Sequence, residues 1–351
     1  MSVFDSPSFD QHELVAFHAD ERSGLRAIVA IHNSNLGPAL GGCRFFPYAS
    51  DAEALEDVLR LSRGMSYKSA LAGLPLGGGK AVIIGNPQAD KTRARMLAMG
   101  DFVDSLGGRY ITAEDSGTSV ADMKVIAERS SYVSGVIATG QFGGDPSPYT
   151  AQGVFVGIGA ALAYRRGSDD MCGIRVAVQG AGAVGRHLIS KLIAAGATVF
   201  VADVNSDNLS LAKKLGASEI AVDQILSMSV DVLAPCAMGA VINSDSVEMI
   251  NADIIAGAAN NQLATAEQGE RLRQRGILYA PDFAINAGGI IDVYYQWVEG
   301  SSASTAGHVA GIAETLHEIF LCAAASAKPA AVIAERLAEQ QFKGSSTVDA
   351  A

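Results

Sequence analysis

Apolar residues recur along this chain in two rhythms. Short unbroken runs rich in β-branched residues, at 25–32, 80–84, 110–112, 174–179, 198–203, 230–235 and 254–259, have the length of buried strands. Longer segments with apolar residues three and four apart, at 51–63, 150–166, 306–327 and 330–341, predict helices. Strands alternating with helices predict an α/β fold whose second half is a parallel, doubly wound sheet. The segment 140–148, GQFGGDPSP, is the sharpest break in this pattern and reads as a hinge. Two domains are therefore expected, 1–140 and 141–328, and the small polar stretch 344–351 reads as a disordered tail.

One strand-to-helix junction carries chemistry. The run ending at Gln179 breaks into Gly180-Ala181-Gly182-Ala183-Val184-Gly185, and the next apolar run ends at Asp203, 18 positions after the last glycine. Strand, glycine turn, helix and acid-terminated strand form the arrangement that binds dinucleotides. Gly180 permits the turn, Gly182 lets the backbone approach a pyrophosphate, and Gly185 lets the helix pack on the strand. The helix N-terminus then offers unpaired N–H groups and partial positive charge to the phosphates. Asp203 would accept hydrogen bonds from a ribose diol and repel a 2′-phosphate. No Arg follows it (Val204, Asn205, Ser206), so NAD is expected over NADP. Glycines also serve ordinary turns, and the motif gains its weight from the strand, helix and acid around it.

Composition excludes other classes. A net charge of −11 argues against nucleic acid or an anionic membrane, which call for clustered Lys and Arg. The start, MSVFDSPSFDQHEL, lacks the basic and apolar regions of a signal peptide, and apolar runs such as 154–164 look too short to span a bilayer. A cytoplasmic protein is expected. Cys43, Cys172, Cys236 and Cys322 are scattered without CxxC spacing, so they read as reduced thiols. The six histidines form no HxH or HExxH pair, and no metal is expected.

Three further segments hold candidate chemistry. In GMSYKSALAGLPLGGGK, Lys68 and Lys80 stand 12 apart, the second directly after three glycines. The spacing is not that of a phosphate-binding P-loop. A glycine turn with a surface lysine explains it as well as a backbone approached by a ligand with an ammonium at its edge. In RYITAEDSG a short strand ends in Glu114-Asp115, where a carboxylate faces the ligand crevice of an α/β sheet. The plainer alternative is that one of them caps the following helix. In AGAANNQL the amides Asn260 and Asn261 either close a turn on themselves or donate to a ligand.

Taken together, LGPALGGCR, GMSYK, GLPLGGGK, ITAEDSG, GDPSPYTAQGVF, VAVQGAGAVG, APCAMGAVI, AGAANNQL and GILYAPDFAINAGGII resemble, in order, the leucine/phenylalanine/valine dehydrogenases of the glutamate dehydrogenase superfamily. The resemblance runs from about residue 10 to 340. It implies NAD-dependent, reversible oxidative deamination of an L-amino acid to a 2-oxo acid and ammonia. It also implies an N-terminal substrate and catalytic domain, completed by the C-terminal helix near 329–343, and a Rossmann-type NAD domain across a cleft. By position, Lys68 matches the lysine that holds the substrate α-carboxylate, and Lys80 and Asp115 match the catalytic lysine and acid. Asn261, with Asn260, matches the asparagine that fixes the substrate. The NAD site is implied at Thr150, Gly180, Gly182, Ala183, Val184, Gly185, Asp203, Cys236, Ala237 and Asn260.

The substrate side chain is implied to lie among Leu40, Gly41 and Gly42 of the LGPALGG loop, Ala113, Ile290 and Val293. None of these is charged, which favours leucine, isoleucine or valine over glutamate. The bulk of Leu40 disfavours phenylalanine, the alternative substrate. A rival from another class is a non-catalytic NAD-binding regulator that keeps the fold. Relatives usually carry Asn where this chain has Asp292, and Thr where it has Cys43. A homo-oligomer is implied, an octamer first, with dimers and tetramers among relatives.

Overall fold

The computed structural model describes residues 2–136, 144–237 and 239–344. Most of the expected tail, and residues 140–143 of the expected hinge, lie outside them. The chain divides into two compact units, Met1–Asp145 with Asp292–Ser302 and Ala338–Ala351, and Pro146–Ile291 with Ala303–Leu337. The segment 292–302, expected with the second domain, packs with the first. The chain's end also packs there, but only from Ala338 onward.

The first unit carries β1 (Leu14–Asp20), β2 (Leu25–Asn33), β3 (Ala39–Phe46), α1 (Asp51–Leu71), β4 (Gly77–Ile84), α2 (Arg93–Ser105), β5 (Tyr110–Glu114) and α3 (Val120–Ile126). The five strands lie in the order β1-β2-β4-β3-β5. β1, β2 and β4 pair antiparallel, while β4, β3 and β5 run parallel. On one sheet face Leu25, Ala27, Val29 and Ile31 join Met96, Met99, Phe102 and Val103 of α2. On the other, Ile28 and Ala30 meet Ala54, Val58 and Leu59 of α1. A strand covered on both faces has no polar side, which is why residues 25–32 read as an unbroken apolar run.

Two sequence expectations need correcting here. The LGPALGG stretch is no loop: residues 39–46 form the strand β3. The helix expected over 51–63 continues to Leu71, so GMSYK is helical. Gly64 does not stop it, because Ser62, Ser66, Tyr67 and Ser69 are buried around the later turns and packing outweighs glycine's low helix propensity. The end of the chain is held to this unit by aromatic contacts. Phe342 packs edge-on against Tyr67 and His32, and the Tyr67 hydroxyl donates to Glu339 Oε1 at 2.5 Å.

The second unit opens on α4 (Ser147–Arg166), followed by β6 (Arg175–Gln179), α5 (Ala183–Ala194), β7 (Thr198–Ala202), β8 (Ser218–Glu219), β9 (Val230–Pro235), β10 (Ala252–Ile255) and β11 (Leu278–Tyr279). The six parallel strands lie in the order β11-β10-β9-β6-β7-β8. The chain winds outward from β6 in one direction, returns to β9, and winds outward in the other. This is the doubly wound Rossmann order, with its switch point between β6 and β9. The helix expected over 306–327 is two helices, Ser302–Ala310 and Ile312–Ser326, parted at Gly311. The whole stretch is 25 residues, long and apolar enough to cross a membrane by those criteria alone. The expectation that every apolar run is too short for that is therefore corrected. In this fold Ile312, Leu316, Ile319 and Phe320 are buried, and Tyr164 of α4 packs on Phe320.

Asp292 is a polar residue in the core of the first unit, only 2% exposed. Its Oδ2 accepts from Gln296 Nε2 at 2.7 Å, while its Oδ1 has no partner among the described residues. Burial, reinforced by the nearby Asp145 charge, pushes its carboxyl from 3.8 up to about 6. The folded chain therefore holds a proton that the unfolded chain has already lost between those values. Stability is full below the unfolded value and falls as pH rises through about 6, a difference on the order of 3 kcal/mol. Asp292→Asn is expected to raise the thermal midpoint by several degrees near pH 8 and to bring no gain below about pH 4. Calorimetry of both proteins across that range checks it.

Candidate active site

The glycines before Lys80 are strand, not turn. A side chain on Gly78 would sit 2.1 Å from the Ser66 backbone nitrogen of α1, and one on Gly79 would meet the Tyr110 ring at 2.7 Å. It is α1 and Tyr110 that approach this backbone, so the reading of GGGK as a glycine turn with a surface lysine is corrected. The consequence for Lys80 is burial: it lies within β4 and is 4% exposed.

A buried ammonium calls for a partner, and Lys80 has one. Its Nζ donates to Asp115 Oδ2. Asp115 follows the last residue of β5 and fills the space that a side chain on Gly42 of β3 would take, 2.7 Å from Asp115 Cβ and Oδ2. The register sets this juxtaposition, with Cys43 opposite Ala81 of β4 and Gly42 opposite Ala113 of β5. Burial alone would raise the Asp115 carboxyl, but the charges of Lys80 and Arg44 outweigh it and hold it down at about 2. Ser116 N donates to Asp115 Oδ1 at 2.6 Å. Asp115 does not cap the next helix, whose N-cap Ser119 accepts from Asp122 N, whereas Glu114 helps hold its start through a hydrogen bond with the backbone of Val120, the first helical residue.

Arg44 is the residue that sequence reasoning missed. Its Nε donates to Asp115 Oδ1 at 3.3 Å and its Nη1 to Asp57 Oδ2 at 2.8 Å. It stood in the quoted motif, but nothing in a lone arginine after Cys43 told of a carboxylate 71 residues away. Cys43 itself is fully buried, its thiol pushed up to about 12 by burial and by Asp115, and so chemically quiet. Leu40 and Ala113 are buried on β3 and β5, and Lys68 lies half-buried in the last turn of α1. Ile290 and Val293 share the helix Gly288–Trp297, Ile290 falling in the second unit and Val293 in the first. Gly41 has a packing reason of its own, because a side chain there would strike Gly79 O.

In the second unit the turn after β6 has the form expected for a dinucleotide. Gly180 takes φ +99°, open to glycine at little cost, and a side chain on Gly185 would lie 2.1 Å from Gly180 O. Gly182 caps α5 with no side-chain acceptor for the first N–H groups, and among the described residues a Cβ there would meet no atom within 4 Å. No described neighbour demands a glycine at that point, whereas an approaching pyrophosphate would. Ala183 is exposed and Val184 half-buried beside it. Asp203 follows β7 and accepts from Ala181 N at 2.6 Å, which ties the acid to the turn. Ala237 packs against Gly180, and Cys236 N donates to Gln179 O at 2.7 Å. Thr150 donates to Pro146 O in the first turn of α4. Asn261 sits at φ +52° with its N–H donated to Asp282, so it does shape a turn, and Asn260 Oδ1 accepts from Asn286 Nδ2 at 2.8 Å. These residues fit a bound nicotinamide dinucleotide.

The glycine geometry sets a contrast in stability. Gly185→Ala forces a backbone clash and is expected to cost about 2–4 kcal/mol, while Gly182→Ala is expected to cost under about 1 kcal/mol. Urea unfolding of the two variants without cofactor measures both.

The chain is similar to known proteins over nearly its whole length. Residues 11–132 match the Glu/Leu/Phe/Val dehydrogenase dimerisation domain, and residues 203–332 match the Glutamate/Leucine/Phenylalanine/Valine dehydrogenase domain. A leucine dehydrogenase of Thermoactinomyces intermedius is 44% identical, covering 98% of this chain and 94% of its own. A valine dehydrogenase of Streptomyces virginiae is 44% identical over 94% of each chain. The crystal structure of L-tryptophan dehydrogenase from Nostoc punctiforme is 42% identical with a TM-score of 0.83, covering 95% of this chain and 96% of that one. With a Rossmann-like unit and a nicotinamide cofactor implied by it, the chain belongs to the glutamate/leucine/phenylalanine/valine dehydrogenase family, a family of amino-acid dehydrogenases.

Proposed function

We propose that the protein catalyses the NAD-dependent, reversible oxidative deamination of a branched-chain L-amino acid, leucine first, to its 2-oxo acid and ammonia. The observation that carries this reading is the buried pair of Lys80 and Asp115. A protein that merely senses a nucleotide has no use for a buried ammonium and carboxylate, whereas deamination needs an acid and a base in one place. When bound, the nicotinamide takes up or returns the hydride at the substrate Cα.

The chain's own residues handle the protons. Asp115, ionised at neutral pH, accepts a proton from the substrate ammonium and leaves a free amine. Lys80, after giving its proton to solvent, accepts a hydrogen bond from the water that adds to the iminium carbon and takes that water's proton. Asp115 then passes its proton to the nitrogen of the carbinolamine, and as ammonia leaves, the hydroxyl proton is released to solvent and the C=O bond forms. Lys68 holds the substrate α-carboxylate, assisted by Asn261. The uncharged residues Leu40, Ala113, Ile290 and Val293 face the side chain, and Asp203 selects NAD. The family's dimerisation domain supports a homo-oligomer, an octamer in our reading, and the enzyme acts in the cytoplasm.

A second reading is an aromatic substrate, favoured by the 42% identity to a tryptophan dehydrogenase. One assay separates them: loss of NADH absorbance with ammonium and the 2-oxo acids of leucine, valine, phenylalanine, tryptophan and glutamate in turn. Leucine's oxo acid is expected to give the highest kcat/KM, with little turnover on NADPH. A higher value for an aromatic oxo acid overturns the substrate, and no turnover on any overturns the activity. Lys80→Ala is expected to lose about 10²–10⁴-fold in kcat while NADH still binds. Gly42→Ala displaces the Asp115 carboxylate and is expected to lower kcat at least about tenfold, with unchanged KM for NADH as the check on its specificity.

A further inference from the structure

Along β3, side chains alternate faces, so Gly42 and Arg44 share one. The missing side chain at Gly42 admits Asp115, and the Arg44 guanidinium meets the same carboxylate from two residues further along the strand. Asp115 is thus held at both oxygens, Oδ2 by Lys80 and Oδ1 by Arg44 and Ser116 N. Arg44 is itself anchored. Its Nη1 donates to Asp57 of α1, and Asp57 also accepts from the Tyr48 hydroxyl at 2.7 Å and from Arg60 at 2.9 Å. Burial raises the Asp57 carboxyl, but these donors together bring it below its usual value.

We propose that Arg44, braced by Asp57, is a positioning residue that acts through Asp115, the permanent cation that keeps its carboxylate ionised and in place. The proposal rests on the reading of Asp115 as a proton-transfer group. Its physical logic lies in the difference between the two cations. Lys80 exchanges protons during the reaction, so its charge on Asp115 varies through the cycle. A guanidinium keeps its proton throughout. Without Arg44, a desolvated Asp115 would depend on Lys80 alone, and at the moment Lys80 lost its charge Asp115 would be driven to keep a proton it must pass on.

The test is steady-state kinetics of R44Q, R44K, D57N and D115N on the purified enzyme across pH, with the oxo acid and amino acid found in the assay above. R44Q is expected to lose about 10–100-fold in kcat. The acid limb of its kcat/KM profile is expected to move up by about one pH unit or more, because a carboxylate relieved of a cation binds its proton more tightly. KM for NADH should not change. R44K should restore most of the acid limb, since it returns the charge, but not kcat, since one ammonium cannot span Asp115 and Asp57 as the fork does. D57N keeps the cation and loses its anchor, so kcat should fall while the acid limb stays. A lower kcat in R44Q with an unmoved acid limb overturns the proposal, for Arg44 then serves the fold alone. Should R44Q fail to fold, the R44K and D57N profiles decide, and a shifted acid limb in D57N or an unrestored one in R44K counts against it. If D115N keeps its turnover, the reading of Asp115 itself has failed. If D115N is inactive and R44Q behaves as the unaltered enzyme, only this inference has.

Discussion

A lysine sits inside the first sheet because a carboxylate meets it there. An isolated buried ammonium is far too costly to desolvate, and a buried pair is tolerated only when each charge finds its remaining hydrogen bonds. Lys80 finds its partner in Asp115, and Asp115 completes its own bonds through Arg44, itself braced by Asp57, and Ser116 N. The pair does little for stability by itself, since two desolvated charges roughly offset their own attraction. It holds an ammonium and a carboxylate in contact and away from bulk water.

That pair in turn depends on side chains that are absent. β3 and β4 carry glycines where α1, Tyr110 and Asp115 press against the sheet. Each missing Cβ is a place where another element comes within contact distance of the backbone. Glycine weakens a strand by its own entropy, roughly 0.5–1 kcal/mol per position. The surrounding apolar packing, with both faces of β2 buried, outweighs that cost. The second unit uses the same device to a different end. Gly180 and Gly185 let α5 close on β6, and a Cβ on Gly182 would meet nothing within 4 Å among the described residues.

Asp292 stands apart from both. It is a carboxyl in a core position, with one oxygen bonded to Gln296 and the other to nothing described, and it is held toward its neutral form. Cys43, the other departure from the family pattern, is simply a buried thiol that packs in the sheet.

The doubly wound order of the second unit was legible because strand and helix there alternate with little interruption, and the glycine turn and Asp203 lie within one local βαβ unit. Buried strands covered on both faces announced themselves as apolar runs. β3 did not, because LGPALGG reads as a loop when the neighbours that require Gly41 and Gly42 are out of view. The same blindness left GGGK open between a turn with a surface lysine and a backbone approached by a ligand, and stopped α1 at Gly64. The sequence by itself determined the residue types: a lysine after three glycines, an acid after a short strand, a dinucleotide turn. Only the tertiary structure decided that Lys80 is buried, that Asp115 takes the place of a Gly42 side chain, and that Arg44 holds its far oxygen. Local propensity reaches a few residues along the chain, whereas these contacts join positions 35 and 71 residues apart and exist only once the parallel strands fix their register.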